Sequence, residues 1–95
     1  MDIDVRFKSK ALKQFTKLPK HVQLSVSSWL STVEKIGTKG TAKLKGKGLH
    51  DEPLSGRLQG LRSIRLSKAW RLYYRSEIHG NLEIVSIERI DHHKY

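Results

Sequence analysis

The residues able to do chemistry gather in the second half of the sequence. Arg71 and Arg75 flank Tyr73, and Trp70, Leu72 and Tyr74 fill the places between. In an extended segment Arg71, Tyr73 and Arg75 share one face and the apolar set takes the other. Guanidinium groups converging on one face suit a phosphate, which accepts two parallel donors from each. Arg65 and Arg62 precede them, and three positions apart they point to opposite faces of a regular strand. Lys43, Lys45 and Lys47 alternate with Leu44 and Gly46. Along an extended edge they would form an electrostatic seat for a polyanion. Glu52 is one of only two acids among the ten basic residues of 38–75. It fits a proton acceptor or an ion-pair partner of Lys47 or Arg71. His92 and His93 are adjacent, so their side chains diverge, and an imidazole is chemically able to act as a proton donor. Tyr95 follows them as a further acid or as part of a frayed tail. His50, Asp51 and the tail histidines have metal-ligand chemistry, but no recognised zinc spacing is present. No metal or cofactor is therefore expected.

The charge balance points to the kind of partner. Nineteen Lys and Arg against nine Asp and Glu give +10. Residues 1–37 carry seven basic and three acidic groups, residues 38–75 ten and two, and residues 76–95 two and four. The resulting +4, +8 and −2 concentrate the positive field in the middle third. Such asymmetry favours a polyanion, most often nucleic acid, over a uniformly solvated basic surface. Cysteine is absent, which removes disulfides and thiol chemistry. No run of about 18 apolar residues occurs, so no membrane-spanning helix is expected. The start, Met1-Asp2-Ile3-Asp4-Val5, lacks the basic-then-apolar order of a signal peptide, and a cytoplasmic protein is the simplest expectation.

These groups need a scaffold, and 95 residues make one domain, 1–95. A chain of this size buries roughly two-thirds of its unfolded surface, enough for a single core. Ile3, Val5 and Phe7 alternate with Asp2, Asp4 and Arg6 as in a half-buried strand. Ser9 is placed to cap a helix. Ala11, Leu12, Phe15 and Leu18 form its apolar face. Pro19 suits the start of a second helix, in which Val22, Val26, Trp29, Leu30 and Val33 recur at helical spacing and Gly37 is the stop. Six of the seven glycines fall in residues 37–60, which predicts a long loop with at most a short helical turn. Residues 61–67 and 69–76 read as strands around a turn near Lys68, and residues 82–90 as the most β-rich run. The order β-α-α-loop-β-β-β predicts an α+β fold: a mostly antiparallel sheet of about four strands with a helical hairpin on one face. The N-terminal strand is expected to pair with the C-terminal ones.

This order, the basic middle and the Trp70-Arg71-Leu72-Tyr73-Tyr74 pattern resemble the RelE/ParE superfamily of type II toxins over nearly the whole chain. The run Lys47-Gly48-Leu49-His50-Asp51-Glu52-Pro53-Leu54, then Leu58-Gln59-Gly60 and Arg65, is similar to the YoeB branch. The spacing of Arg89 and Tyr95 resembles RelE, and His92-His93 resembles the tails of YoeB and HigB-type toxins. The paired lysines of RelE are not reproduced, since Arg62 and Ile64 stand in their places.

The resemblance implies a ribosome-dependent mRNA endonuclease that cuts by attack of a 2′-hydroxyl on the adjacent phosphate. That reaction needs a base, cations for the phosphorane and an acid for the leaving oxygen. Carried over, the base is Glu52, the cations are Arg65 and Arg71, and the acid is His92, His93 or Tyr95. Lys43, Lys45, Lys47, Arg62, Tyr73 and Arg89 would hold rRNA and mRNA. Tyr73 is the base-stacking candidate, whereas Trp29 and Trp70 are assigned to the core. The implied partners are the ribosome, mRNA and a cognate antitoxin whose acidic, partly disordered segment folds over the basic face. The alternative is a ParE-like DNA gyrase inhibitor without nuclease activity. Glu52 and the histidine-rich tail favour the nuclease.

Overall fold

A computed structural model describes residues 1–44 and 50–92. The chain runs through β1 (Asp2–Phe7), α1 (Ser9–Thr16), α2 (Lys20–Ala42), β2 (Glu52–Pro53), a 3-10 turn (Gly56–Leu58), β3 (Arg62–Arg65), β4 (Trp70–His79) and β5 (Leu82–His92). The strands form one sheet in the order β1-β5-β4-β3-β2. Only the β1–β5 pair is parallel. The predicted α+β architecture is the one found, with the two-residue β2 as an additional edge strand.

Both helices lie against one side of the sheet. Val22, Val26, Trp29 and Val33 of α2, with Ala11 of α1, meet Ile64, Leu72, Tyr74, Val85, Ile87 and Ile90 in the core. Ile3, Val5, Phe7 and Leu30 pack against its margin. The Trp29 ring lies 5.0 Å from the Tyr74 ring, centroid to centroid, and ties α2 to β4. Period two in the strands and 3.6 in the helix thus meet in one apolar layer.

A bulge breaks the alternation in β5. Tyr73 pairs with Arg89 but Tyr74 with Ile87, so Glu88 is an extra residue. The bulge lets Val85, Ile87 and Ile90 all reach the core, and it turns Arg89 to the opposite face beside Tyr73.

Several local expectations are corrected. Ser9 is the first helical residue of α1, and Lys8 stands at the N-cap with no side-chain hydrogen bond. Leu12 is exposed. Gln14 takes its place on the buried side, where its Oε1 accepts from the Ile90 amide at 2.8 Å and its Nε2 donates to Asp91 at 3.2 Å. That anchor rotates the helix so that Ala11, Gln14, Phe15 and Leu18 face inward.

Gly37 does break α2, with φ 76° and ψ 172°, but helix resumes to Ala42. This backbone region is essentially open only to glycine. The next turn is capped from across the fold. Thr38 N donates to Glu83 Oε1 at 3.2 Å, and the Thr38 and Ser76 hydroxyls also donate to this carboxylate. Glu83 is only 3% exposed. Although burial pushes its pKa up, the Ser76 and Thr38 hydrogen bonds hold it below the usual glutamate range. The predicted 37–60 loop therefore begins later than expected.

Candidate functional site

The face of the sheet away from the helices carries the predicted chemistry in two rows. Antiparallel partners place side chains side by side. Glu52 pairs with Ser63, Ser63 with Tyr73, and Tyr73 with Arg89, one row across β2, β3, β4 and β5. Arg65 pairs with Arg71, and Arg71 with Asp91, the row two residues along. With strands about 4.8 Å apart, Glu52 lies roughly 10 Å across the sheet from the β4 positions. A phosphodiester and its neighbouring ribose can lie across that interval.

The cations differ in how far they are committed. Arg89 Nε lies 2.8 Å from Asp91 Oδ2, an ion-pair contact without hydrogen-bond alignment. Its guanidinium stands over the Tyr73 ring, 4.8 Å from the centroid. Tyr73 and Arg89 thus occupy each other through a cation–π contact.

Arg71 and Arg65 have no ion-pair partner among the described residues. The Arg65 Nε is buried without an acceptor. Arg65 also borders a cleft of about 490 Å³ between α2 and the β3–β4 turn, which Leu24, Trp29 and Leu44 share. Arg75 continues the arginine face over Gly60, where a Cβ would fall 2.6 Å from its terminal nitrogen. Gly60 has φ 94°, so glycine serves both the turn and the arginine above it. Guanidinium groups without an ion-pair partner among the described residues have the donor geometry that a phosphate accepts.

Other assigned residues lie elsewhere. Arg62 is turned to the helix side, where its Nε donates to Asp51 Oδ1 at 2.8 Å. Asp51 Oδ2 accepts from the Tyr74 hydroxyl at 2.6 Å. Burial works against the Arg62 charge, but the Asp51 hydrogen bond and charge outweigh it and raise its pKa. Burial, reinforced by Asp51, pushes the Tyr74 phenol strongly upward, so it stays a proton donor to the carboxylate.

His92 pairs with Trp70, and their rings meet edge to face at 4.9 Å, on the opposite parity from Arg71 and Asp91. Lys43 is the C-cap of α2, with αR backbone angles rather than those of the expected extended edge. Lys45, Lys47, His93 and Tyr95 lie outside the described residues. Among the described residues no three His, Asp or Glu side chains gather as a metal site. Asp51, expected at most as a metal ligand, is a buried acceptor for two donors. The signal for its other role is its place beside Glu52 in an extended segment, which sends the two carboxylates to opposite faces.

A helical hairpin on one face of this five-strand sheet is the fold of the RelE/ParE superfamily toxins, as the sequence resemblance implied. The chain is similar to a YoeB/ParE toxin from Agrobacterium tumefaciens, with TM-score 0.72 and 15% identity over 96% of this chain and 99% of that one. It is similar to the RelBE2 toxin–antitoxin complex from Mycobacterium tuberculosis, with TM-score 0.67 and 26% identity over 97% and 99% of the two chains. The YoeB dimer from Staphylococcus aureus gives TM-score 0.69 and 21% identity over 99% and 100%. Neither a protein-family model nor a curated protein sequence matches the chain. Among the described residues no helix is long and apolar enough to cross a membrane.

Proposed function

We propose that this chain is the toxin of a type II toxin–antitoxin pair and that it cuts mRNA on the ribosome. The observation that carries this reading is the cross-strand pair Arg65 and Arg71, without ion-pair partners among the described residues, on the strand parity that also bears Glu52. The toxin fold supports it. Glu52 takes the proton from a 2′-hydroxyl, whose oxygen attacks the adjacent phosphorus. The bond to the 5′-oxygen breaks, leaving a 2′,3′-cyclic phosphate on one fragment. Arg71, with Arg65 beside it, offsets the charge on the phosphorane oxygens. The departing 5′-oxygen needs a proton. His92 stands against Trp70 on the other side of the sheet, so this reading gives the acid role to His93, with Tyr95 as the alternative.

An antitoxin is the natural cover for such a face. The YoeB–YefM pair from Staphylococcus aureus and RelBE2 are toxin–antitoxin complexes. An acidic segment would neutralise Arg65, Arg71 and Arg75 together.

Single-turnover cleavage on programmed ribosomes tests the reading. Glu52→Gln keeps the shape and removes the base, and Arg71→Ala removes the phosphate donors. Each is expected to slow cleavage by about 10²–10⁴-fold while still binding the ribosome. Wild-type rates in both would overturn it. Cells that accumulate broken DNA with intact mRNA on induction would instead indicate gyrase as the target.

A further inference from the structure

Glu52 is an exposed residue of a two-residue edge strand, and its side chain has no hydrogen-bond or ion-pair partner among the described residues. Left to itself, such a strand frays, and a catalytic carboxylate on it would sample many positions. Something must hold it.

The candidate is the preceding residue. Asp51 is turned inward, and its side chain is 3% exposed. One oxygen accepts from Arg62 on β3 at 2.8 Å, the other from Tyr74 on β4 at 2.6 Å. Both bonds end on a carboxylate, which makes them stronger than neutral ones. The donors stand on rigid ground. Arg62 and Tyr74 are cross-strand partners, and the Tyr74 ring is fully buried against Trp29. A continuous path therefore runs from the core through Tyr74 to Asp51, and from Asp51 through one peptide unit to Glu52. On the far side of Glu52 the hairpin is closed by Leu54 N donating to Leu61 O at 3.0 Å.

We propose that Asp51 is a positioning residue, and that its clamp by Arg62 and Tyr74 on the helix side fixes β2 and so holds Glu52 at the arginine face. This rests on the reading of Glu52 as the base. It also gives Arg62 a role that does not involve RNA. Arg62 acts through Asp51, from the face opposite Arg65 and Arg71. The inward carboxylate and the outward one form a unit in which the first sets the place of the second.

The experiment is single-turnover cleavage on programmed ribosomes, with ribosome affinity and urea melting measured on the same proteins. Asp51→Ala is made in the wild-type chain and again in a Glu52→Gln chain. Tyr74→Phe, which keeps the ring against Trp29 and removes only one bond to Asp51, is made in both as well. In the wild-type chain Asp51→Ala is expected to slow cleavage by about 10–100-fold, the cost of a misplaced catalytic group, with affinity unchanged. Tyr74→Phe should show a smaller loss in the same direction. In the Glu52→Gln chain neither change should slow the residual reaction further, because nothing remains to be positioned. Equal losses in both chains would mark a general structural role and overturn the proposal. A normal rate in Asp51→Ala beside a slow Glu52→Gln would overturn it while leaving Glu52 as base. A normal rate in Glu52→Gln would remove the base assignment itself.

Discussion

Four arginines of the sheet illustrate how one residue type is put to different uses by its neighbours. Arg62 is bound by Asp51, and Arg89 is held by Asp91 and the Tyr73 ring. Arg65 and Arg71 have no such partner among the described residues, and the proposed function uses them for the phosphate. Because a guanidinium offers parallel donors that an ammonium lacks, Arg71→Lys should cleave mRNA no faster than a few-fold above Arg71→Ala in single turnover. Recovery to near the wild-type rate would mean that only the charge matters. The alternation of Trp70, Leu72 and Tyr74 with Arg71 and Tyr73 was readable because a strand shows its faces in its own sequence. The partner of Arg62 was not, since Asp51 meets it only when β2 folds back on β3. Glu83 was equally hidden, its partners lying on α2 and β4. Its folded pKa is lowered, so its contribution to stability is complete above the ordinary value of 4.5 and is lost as pH falls through the folded value. The stability gap between wild type and Glu83→Gln should therefore stay level from pH 7 to about 4.5 and narrow below it. A gap that widens on acidification would contradict the assignment.

At the scale of elements, the legible parts were those whose signal is local. Ile3, Val5 and Phe7 announced β1, and Val22, Val26, Trp29 and Val33 announced the buried stripe of α2. Glycine alone predicts a stop at residue 37, and the structure carries α2 past it. Gly37 does leave helical geometry, yet the carboxylate of Glu83 supplies the first turn beyond it with an acceptor for the Thr38 amide. No pattern near residue 37 encodes a cap brought in by β5. The same geometry makes Gly37 hard to replace. A Cβ there would lie 3.0 Å from Glu83 Oε1, on a backbone with φ 76°. Gly37→Ala should lose roughly 1–3 kcal/mol in urea unfolding. A loss below about 0.5 kcal/mol, within the range of ordinary surface changes, would show that the helix does not depend on this break. The rotation of α1 has a similar origin, as Gln14 is polar and therefore invisible to a search for apolar spacing, although it is bonded to β5.

For the whole molecule, the net charge of +10 is a statement about partners and ionic strength rather than about fold. Changing Lys43, Lys45 and Lys47 together to Gln should weaken ribosome binding at low salt and flatten its dependence on salt, with little effect on which mRNA positions are cut. An unchanged slope would assign these lysines to solvent.

The order of the strands carries a further consequence, concerning synthesis. β1 is made first but lies against β5, and Asp2 pairs with Leu82, 80 positions later. The core takes Val85, Ile87 and Ile90 from that same late strand. A nascent chain that has not yet delivered β5 has neither a neighbour for β1 nor a closed apolar layer. Its Arg65 and Arg71 exist in sequence but have no sheet on which to converge. If the protein cuts messages under translation, its own message is among the targets, and any cut upstream of the β5 codons yields a fragment with no assembled site. On that reading each such event would remove a template without adding an active molecule, and the topology would limit how far unrestrained protein could amplify its own supply.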